Sequence, residues 1–471
     1  MSEYRTTVGI EVHAELKTKT KMFSNSTNHY GASSNTNMNL IDFGYPGTLP
    51  QVNRYGVELG IRAALVLNCQ INQKMHFDRK NYFYPDLPKG YQITQARTPI
   101  GVHGFVEIGE GDHYKKIGIH DIHLEEDTCK SIHTKESALL DFNRAGVPLL
   151  EIVSDPDIHS GKEAMQYLEK LRELLLYSDV SDVKIEEGSM RCDVNVSVSK
   201  TDQLGVRAEI KNVSSIAAVG MAIESETKRQ IALLESGGVQ EEETRRYDEA
   251  KDETILMRRK ETGNDYRYFP EPDIPYVYVT DEEIEEVRKH LPVSADVRRK
   301  EYINHGISPL NADKIIQNRA ISDFLLNISS DANYVTISNL LLGDISGYLN
   351  AKHLELKDIP LSMERLETLA KKFDQKEISS KIVKEILKDV ITTTEDIDVI
   401  IERHGGASIT DTGALLTVIQ TVLENNPQSV SDYRAGHDRA IKYLMGQVMK
   451  ETKGKANPVL VQELLVKKLS E

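Results

Sequence analysis

The sequence predicts an α+β architecture: a mainly antiparallel sheet in the first part of the chain and an all-helical remainder. Three observations carry this. Period-two alternation of apolar and polar residues recurs up to about Leu291, several of the segments lie close together, and beyond Leu291-Pro292 the strand signals fade into helical spacing. With 471 residues and about 150 per domain, the chain has room for roughly three domains.

The elements follow in order. Residues 7–16 alternate strictly: Glu11, His13 and Glu15 share one face, and Ile10, Val12, Ala14 and Leu16 the other. Turn signals stand at Tyr45–Gly47, Pro85-Asp86 and Leu87–Gly90, and Gly109–Gly111 separates strands over 101–108 and 116–122. Ser160 with Glu163 predicts a capping box, followed by a helix through about Tyr177 with the stripe Met165, Leu168, Leu171, Leu174 and Leu175. Strands are predicted over 190–198 and 206–212, then a helix over 216–235 that stops at Gly237-Gly238. Pro270, Pro272 and Pro275 keep Asp265–Pro275 out of a helix or central strand, leaving a stiff extended loop. A second boundary is expected near 376–380, where Ser379-Ser380 caps a helix; helices are expected over 379–391, 411–425, 429–433, 435–451 and 458–469.

Bulk properties exclude several classes. No run of 18 or more apolar residues exists, so no membrane span is expected. The start, Met1–Arg5, has no apolar signal core. Cys69, Cys129 and Cys192 are far apart, which argues against a structural zinc site or disulfide framework and fits a reducing cytoplasm. A net charge of −15 opposes broad nucleic-acid binding, yet residues 432–471 hold eight Lys/Arg against five Asp/Glu, a local balance of +3. There is no glycine-rich phosphate loop, no G-x-S-x-G elbow and no H-E-x-x-H.

The chemistry lies in the alternating faces. Asp193, Asn195 and Ser197 oppose Cys192, Val194, Val196 and Val198; Arg207, Glu209 and Lys211 share a face; His123–Asp127 adds an acidic cluster. For any one strand, a solvated outer sheet face explains the pattern. Three such strands together with Glu125-Glu126 favour a floor of carboxylates, broken by His, Lys and Arg, that suits hard divalent cations and phosphates. Asp78–Asp86 and Lys89–Gln92 interleave basic and aromatic residues. That composition fits either a phosphate-bearing ligand with stacked bases or a surface loop whose aromatics pack inward. Lys450–Pro458 reads as a basic solvated turn, with contact to a phosphate backbone as the alternative.

The segments GIEVHAELKTKTKMFS (9–24), DRKNYFYPDLPKGYQI (78–93), HLEEDTCKSIH (123–133), DFNRAGVPLLEIVSDPDI (141–158), GSMRCDVNVSV (188–198), EIKN (209–212), DYRYFPEPDIP (265–275) and GKANP (454–458) occur in one order along the chain. In these the chain resembles the B subunits of the aspartyl/glutamyl-tRNA(Asn/Gln) amidotransferases, the GatB/GatE family. It departs from the family pattern at Val213–Ile216, where Leu-Asn-Ser-Phe is usual, and at Arg403–Ala407.

The resemblance implies a catalytic cradle over 1–291, similar in fold to glutamine synthetase and guanido kinases. It implies a helical domain over 292–378 and a YqeY-like, tRNA-binding helical tail over 379–471. The implied activity is that of a cytoplasmic carbon–nitrogen ligase using ATP and Mg²⁺. The side-chain carboxylate of misacylated Glu-tRNA(Gln) or Asp-tRNA(Asn) is phosphorylated, then amidated with ammonia released from glutamine by a separate amidase subunit. A small C subunit, which holds the pair together, completes the implied heterotrimer. Glu11, His13, Glu125 and Glu151 match positions expected around magnesium, with Glu126 as a further metal ligand. Lys211, Arg191, Glu209 and Asp193 are implied to be catalytic, Asp193 and Glu209 being also candidates for a second metal. Charge and motif context make Arg191, Lys211, Lys80 and Arg267 the candidates for phosphate contacts, and Lys80, Arg267, Tyr82 and Asn195 the candidates for holding the nucleotide. The rival readings are a non-catalytic tRNA-binding scaffold and a metal-dependent phosphohydrolase.

Overall fold

Alternation along Arg5–Glu15 (β1) places this strand at the heart of the largest sheet, with Val8, Ile10, Val12 and Ala14 buried on one side. The computed structural model describes residues 4–110, 113–185, 187–259, 265–404, 412–434, 439–452, 456 and 458–470. After β1 come β2 (Gln70–Ile71), β3 (Lys74–Met75), β4 (Asp78–Asn81), β5 (Tyr91–Thr94), β6 (Gly101–Glu110), β7 (His113–Glu126), β8 (Lys130–His133) and β9 (Ala138–Asp141). They are followed by β10 (Pro148–Ser154), β11 (Met190–Ser199), β12 (Ala208–Lys211), β13 (Glu243–Asp248), β14 (Glu253–Arg259), β15 (Phe269–Pro270) and β16 (Val277–Tyr278). Nine strands form one sheet in the order β14-β13-β12-β11-β1-β10-β7-β6-β2. Its neighbours pair antiparallel except β12 and β13, which run parallel.

Helices α1 (Arg54–Val66), α2 (Gly161–Tyr177) and α3 (Ile216–Glu235) cover the apolar face of this sheet. Leu168, Leu171, Val219 and Ile223 join Ile10, Val12, Ile152 and Val194 in one core. The predicted stop of α3 forms as read: Gly237 has φ +79°, and the amides of Gly237 and Gly238 donate to the carbonyls of Leu234 and Leu233. The predicted capping box of α2 is half made. Ser160 Oγ accepts from the Glu163 amide, but the Glu163 carboxylate takes the His159 amide and Lys115 Nζ instead of the Ser160 amide.

Helix α1 and strand β10 were not among the predicted elements. In α1, Gly56 and Gly60 weaken the helical signal; a Cβ on Gly60 would meet Ile100 Cδ1 at 2.7 Å and Leu124 Cδ2 at 3.2 Å, so the helix packs closely on these side chains there. The loop segment 78–92 is a hairpin, β4 and β5, joined on its edge by β15, whose Pro270 needs no ladder donor. α4 (Asp281–Lys289) opens on a true capping box between Thr280 and Glu283.

The chain separates into two compact units, up to Ala295 and from Asp296. The second is helical: α5 (Ala295–Asn304), α6 (Pro309–Gln317), α7 (Arg319–Leu325), α8 (Tyr334–Leu340), α9 (Ser346–Lys352), α10 (Met363–Asp374), α11 (Ser380–Thr392), α12 (Ile397–Arg403), α13 (Thr412–Asn425), α14 (Pro427–Arg434), α15 (Arg439–Glu451) and α16 (Pro458–Ser470). Ser379 caps α11 by accepting from the Ile382 amide, and α11 and α12 pack on α10. Leu415, Ile419, Leu444, Val448, Val461 and Leu465 give the last four helices an apolar core of their own. Residues 453–455 and 457 of the basic loop read at Lys450–Pro458, and Gly405–Ala407 of the atypical stretch, lie outside the described residues. None of the described helices is long and apolar enough to cross a membrane.

Candidate active site

Strand register decides which polar side chains meet. His13 on β1 pairs with Glu151 on β10, and Glu151 pairs with His123 on β7. On the other flank, Glu11 and His13 pair with Asp193 and Arg191 of β11, and Asn195 pairs with Glu209 of β12. All these residues alternate with core positions, so they occupy the face that the helices do not cover.

Two donor clusters result. One oxygen or nitrogen each from His13, Glu125 and Glu151 lie within 4.8 Å of one another, and the same holds for Glu11, Asp193 and Glu209. His13 Nε2 is 3.4 Å from both Glu125 Oε1 and Glu151 Oε2. Burial and the neighbouring Glu151 charge push the buried Glu125 carboxyl up. Glu151 is held well below its usual range: burial works against it, but His123 and His13 outweigh that. Burial, with Glu151 and Asp193 nearby, also raises Glu11, which accepts a hydrogen bond from Asn195 Nδ2 at 3.1 Å. A histidine nitrogen crowded with carboxylate oxygens, of which Glu11 and Glu125 are raised, is a donor set that could hold a divalent cation.

Cations flank the clusters. Lys211 Nζ lies 2.7 Å from Asp193 and 3.0 Å from Glu209, and these carboxylates outweigh the effect of its burial and raise it. Glu209 also accepts from Thr244 Oγ1 at 3.1 Å. Lys80, on β4, sits 5.0 Å from the Tyr266 ring centre; burial lowers its ammonium, but Glu125, Tyr268 and Glu151 leave it net raised. Arg191 donates to Asp127 at 2.8 Å. Tyr82 is partly buried, its ring 6.0 Å from that of Tyr266.

Two of the expected site residues lie elsewhere. Glu126 follows Glu125 directly and therefore projects from the opposite face of β7, where it accepts from Lys89 Nζ and, at 3.0 Å, from the Ile93 amide. Arg267 extends into solvent, its side chain 83% exposed and 3.9 Å from Asp265. In the 78–92 hairpin Phe83 and Tyr84 are exposed, whereas Arg79 is taken up by a two-point pairing with Glu271. A cavity of about 210 Å³ beside Arg79, Lys89 and Tyr91 lies away from the clusters, and both of its cations are already paired.

Three polar residues join the site without having been assigned roles from the sequence. His123 spans Asp121 and Glu151, 2.9 Å from each; burial lowers it, but the two carboxylates push it up to about 10. Glu15 is raised to about 7 by burial and by Asp127. Asp127 is buried and holds both Arg191 and Arg144. The signal for Glu15 is its period-two spacing from His13. For His123 nothing short of the strand order reveals the neighbour.

Comparison with known proteins identifies the family. The family model described as GatB/GatE catalytic domain matches residues 6–285, and a second, described as GatB domain, matches 323–469. A protein of Ligilactobacillus salivarius, named as the B subunit of an aspartyl/glutamyl-tRNA(Asn/Gln) amidotransferase, is 49% identical over 474 residues, covering 99% of both chains. Proteins of the same name from Geobacillus thermodenitrificans and Listeria innocua are 48% and 46% identical over 473 residues, again covering 99% of both chains.

Proposed function

The chain belongs to the GatB/GatE family, and from that premise we propose that it is the ATP-dependent activating and transamidating subunit of a tRNA-dependent amidotransferase. The observation that carries this reading is the pair of donor clusters on one sheet face, flanked by Lys80 and Lys211. The substrate is the misacylated Glu-tRNA(Gln) or Asp-tRNA(Asn). Its side-chain carboxylate oxygen attacks the γ-phosphorus of ATP, and ADP leaves. Ammonia then adds to the acyl carbon, loses a proton, and expels inorganic phosphate. Without phosphorylation the leaving group would be oxide, which is why ATP is required.

Mg²⁺, when bound, neutralises the phosphate oxygens; His13, Glu125 and Glu151 would hold one ion and Glu11, Asp193 and Glu209 a second. The protein's own groups do the rest. Lys211, clamped between Asp193 and Glu209, presents a fixed positive charge beside the second cluster. Lys80, enclosed by tyrosines, presents another opposite Glu125 and Glu151. Such preorganised charge stabilises developing negative charge on a transferring phosphoryl group.

On this reading residues 1–291 form the glutamine synthetase-like cradle, 292–378 a helical domain, and 379–471 the tRNA-binding tail. The chain works in the cytoplasm as one member of a heterotrimer. Its partners are an amidase, which supplies ammonia from glutamine, and the small C subunit. The test uses the co-expressed complex with radiolabelled Glu-tRNA(Gln), ATP, Mg²⁺ and ammonium chloride, without glutamine. Wild type should form Gln-tRNA(Gln) and Glu125→Ala should not. Equal conversion by the variant would refute the site. ATP turnover in the absence of tRNA would favour a phosphohydrolase, and no turnover with Glu-tRNA(Gln) or Asp-tRNA(Asn) a tRNA-binding scaffold.

A further inference from the structure

Resting on the metal-site reading above, we infer that Asp121 and His123 form a positioning relay that aims Glu151 at the His13–Glu125 cluster. Asp121 and His123 lie two residues apart on β7, so both project from the polar face of the sheet. Asp121 Oδ1 is 2.9 Å from His123 Nδ1, and His123 Nε2 is 2.9 Å from Glu151 Oε2. Glu151 stands directly between His123 and His13 in the strand register, one residue from each neighbouring strand.

The geometry explains what the relay does. A glutamate side chain on a sheet face has three rotatable bonds, and its carboxylate sweeps a wide arc unless something holds it. His13 is 3.4 Å from Glu151 Oε2, too far for a strong hydrogen bond, while His123 is within full hydrogen-bond distance. His123 is therefore the group that sets the orientation of Glu151, holding from β7 the same Oε2 that faces His13. Asp121 fixes the imidazole ring in turn, as carboxylates commonly do for rings that serve a ligand set. Asp121 and His123 are outside both donor clusters, so their route to the His13–Glu125 cluster runs through Glu151.

The test measures Mn²⁺ binding to the intact complex by calorimetry, without ATP or tRNA, so that the readout does not depend on turnover. His123→Ala should weaken Mn²⁺ binding about 10- to 100-fold. His123→Gln keeps one donor toward Glu151 and should recover part of that loss. Asp121→Asn keeps the fold and the imidazole and should weaken binding less than His123→Ala. In the amidation assay the same variants should raise the Mg²⁺ concentration needed for half-maximal rate more than they lower the rate at saturating Mg²⁺. Glu125→Gln serves as the control. If Glu125→Gln abolishes Mn²⁺ binding while His123→Ala and Asp121→Asn both bind within twofold of wild type, the relay is refuted and the metal site stands. If wild type itself binds no Mn²⁺, the metal reading fails and the relay with it.

Discussion

Lys211 shows how one side chain sets the charge of a neighbourhood. Its ammonium sits within 3.0 Å of Asp193 and Glu209, and Glu11 shares their cluster. Lys211→Met keeps length and apolar stem but leaves three carboxylates facing one another with less compensation. Ammonium-dependent amidation should fall about 10²–10³-fold, the cost of losing one preorganised donor at a centre of developing charge. Mn²⁺ binding should not weaken, because removing a competing cation makes the carboxylate cluster a better cation site. Parallel measurement of rate and Mn²⁺ affinity checks this; a proportionate fall in both would mean that Lys211 is merely structural. At this scale much of the site is legible in the chain. Period-two spacing puts Glu11 with His13, and Asp193 with Asn195, on one face because successive strand side chains must alternate. Glu126, expected beside Glu125 as a metal ligand, breaks that expectation by the same rule: it is the next residue on β7 and faces Lys89 on the other side. The direction of Arg267 was not legible: a charge in a proline-rich loop says nothing about whether it turns inward, and this one turns to solvent.

Elements bring the site into register, and here the helices behind the sheet matter. The N-terminus of α2 crosses α3 where Gly161 meets Gly220: a Cβ on Gly161 would stand 2.4 Å from the Gly220 carbonyl oxygen, a backbone atom that cannot rotate away. The Gly161 amide also donates to Glu224 Oε1 at 2.9 Å. Gly161→Ala should therefore force the two helices apart and destabilise the first unit by about 1–3 kcal/mol, the range for overpacking. A lowered melting temperature of that unit checks this, and an unchanged one would mean that the helix pair yields freely. The boundaries of α2 and α3 were readable because caps and apolar stripes are local. Strand β10 was not readable, although it carries Glu151: Pro148–Ser154 is a short, mostly buried apolar run whose partners, β1 and β7, are chosen by distant residues. His123 escaped assignment for the same reason, since its partner Glu151 is adjacent only once β10 lies beside β7.

At the scale of the whole molecule the proposed function raises the question of how an acidic protein would engage tRNA. The net charge is −15, while residues 432–471 carry a local balance of +3. A localised basic patch is what contact with a phosphate backbone needs, because each neutralised phosphate releases counterions and strengthens binding. The last four helices have an apolar core of their own, built on Leu415, Ile419, Leu444, Val448, Val461 and Leu465, and α11 and α12 pack instead on α10. Cutting the chain at residue 409 thus removes a module with its core entire and leaves α11 and α12 with the helix they pack on. The complex lacking 409–471 should bind tRNA(Gln) more weakly, and its residual binding should depend less steeply on salt because fewer phosphate contacts remain. Glutamine hydrolysis by the partner amidase should persist, as should activation of a substrate supplied at concentrations high enough to offset the lost affinity. Filter-binding titrations over a range of salt concentrations measure both quantities. Equal affinity and equal salt slope with and without the tail would show that tRNA is held elsewhere, and that the basic balance of this segment serves solubility alone.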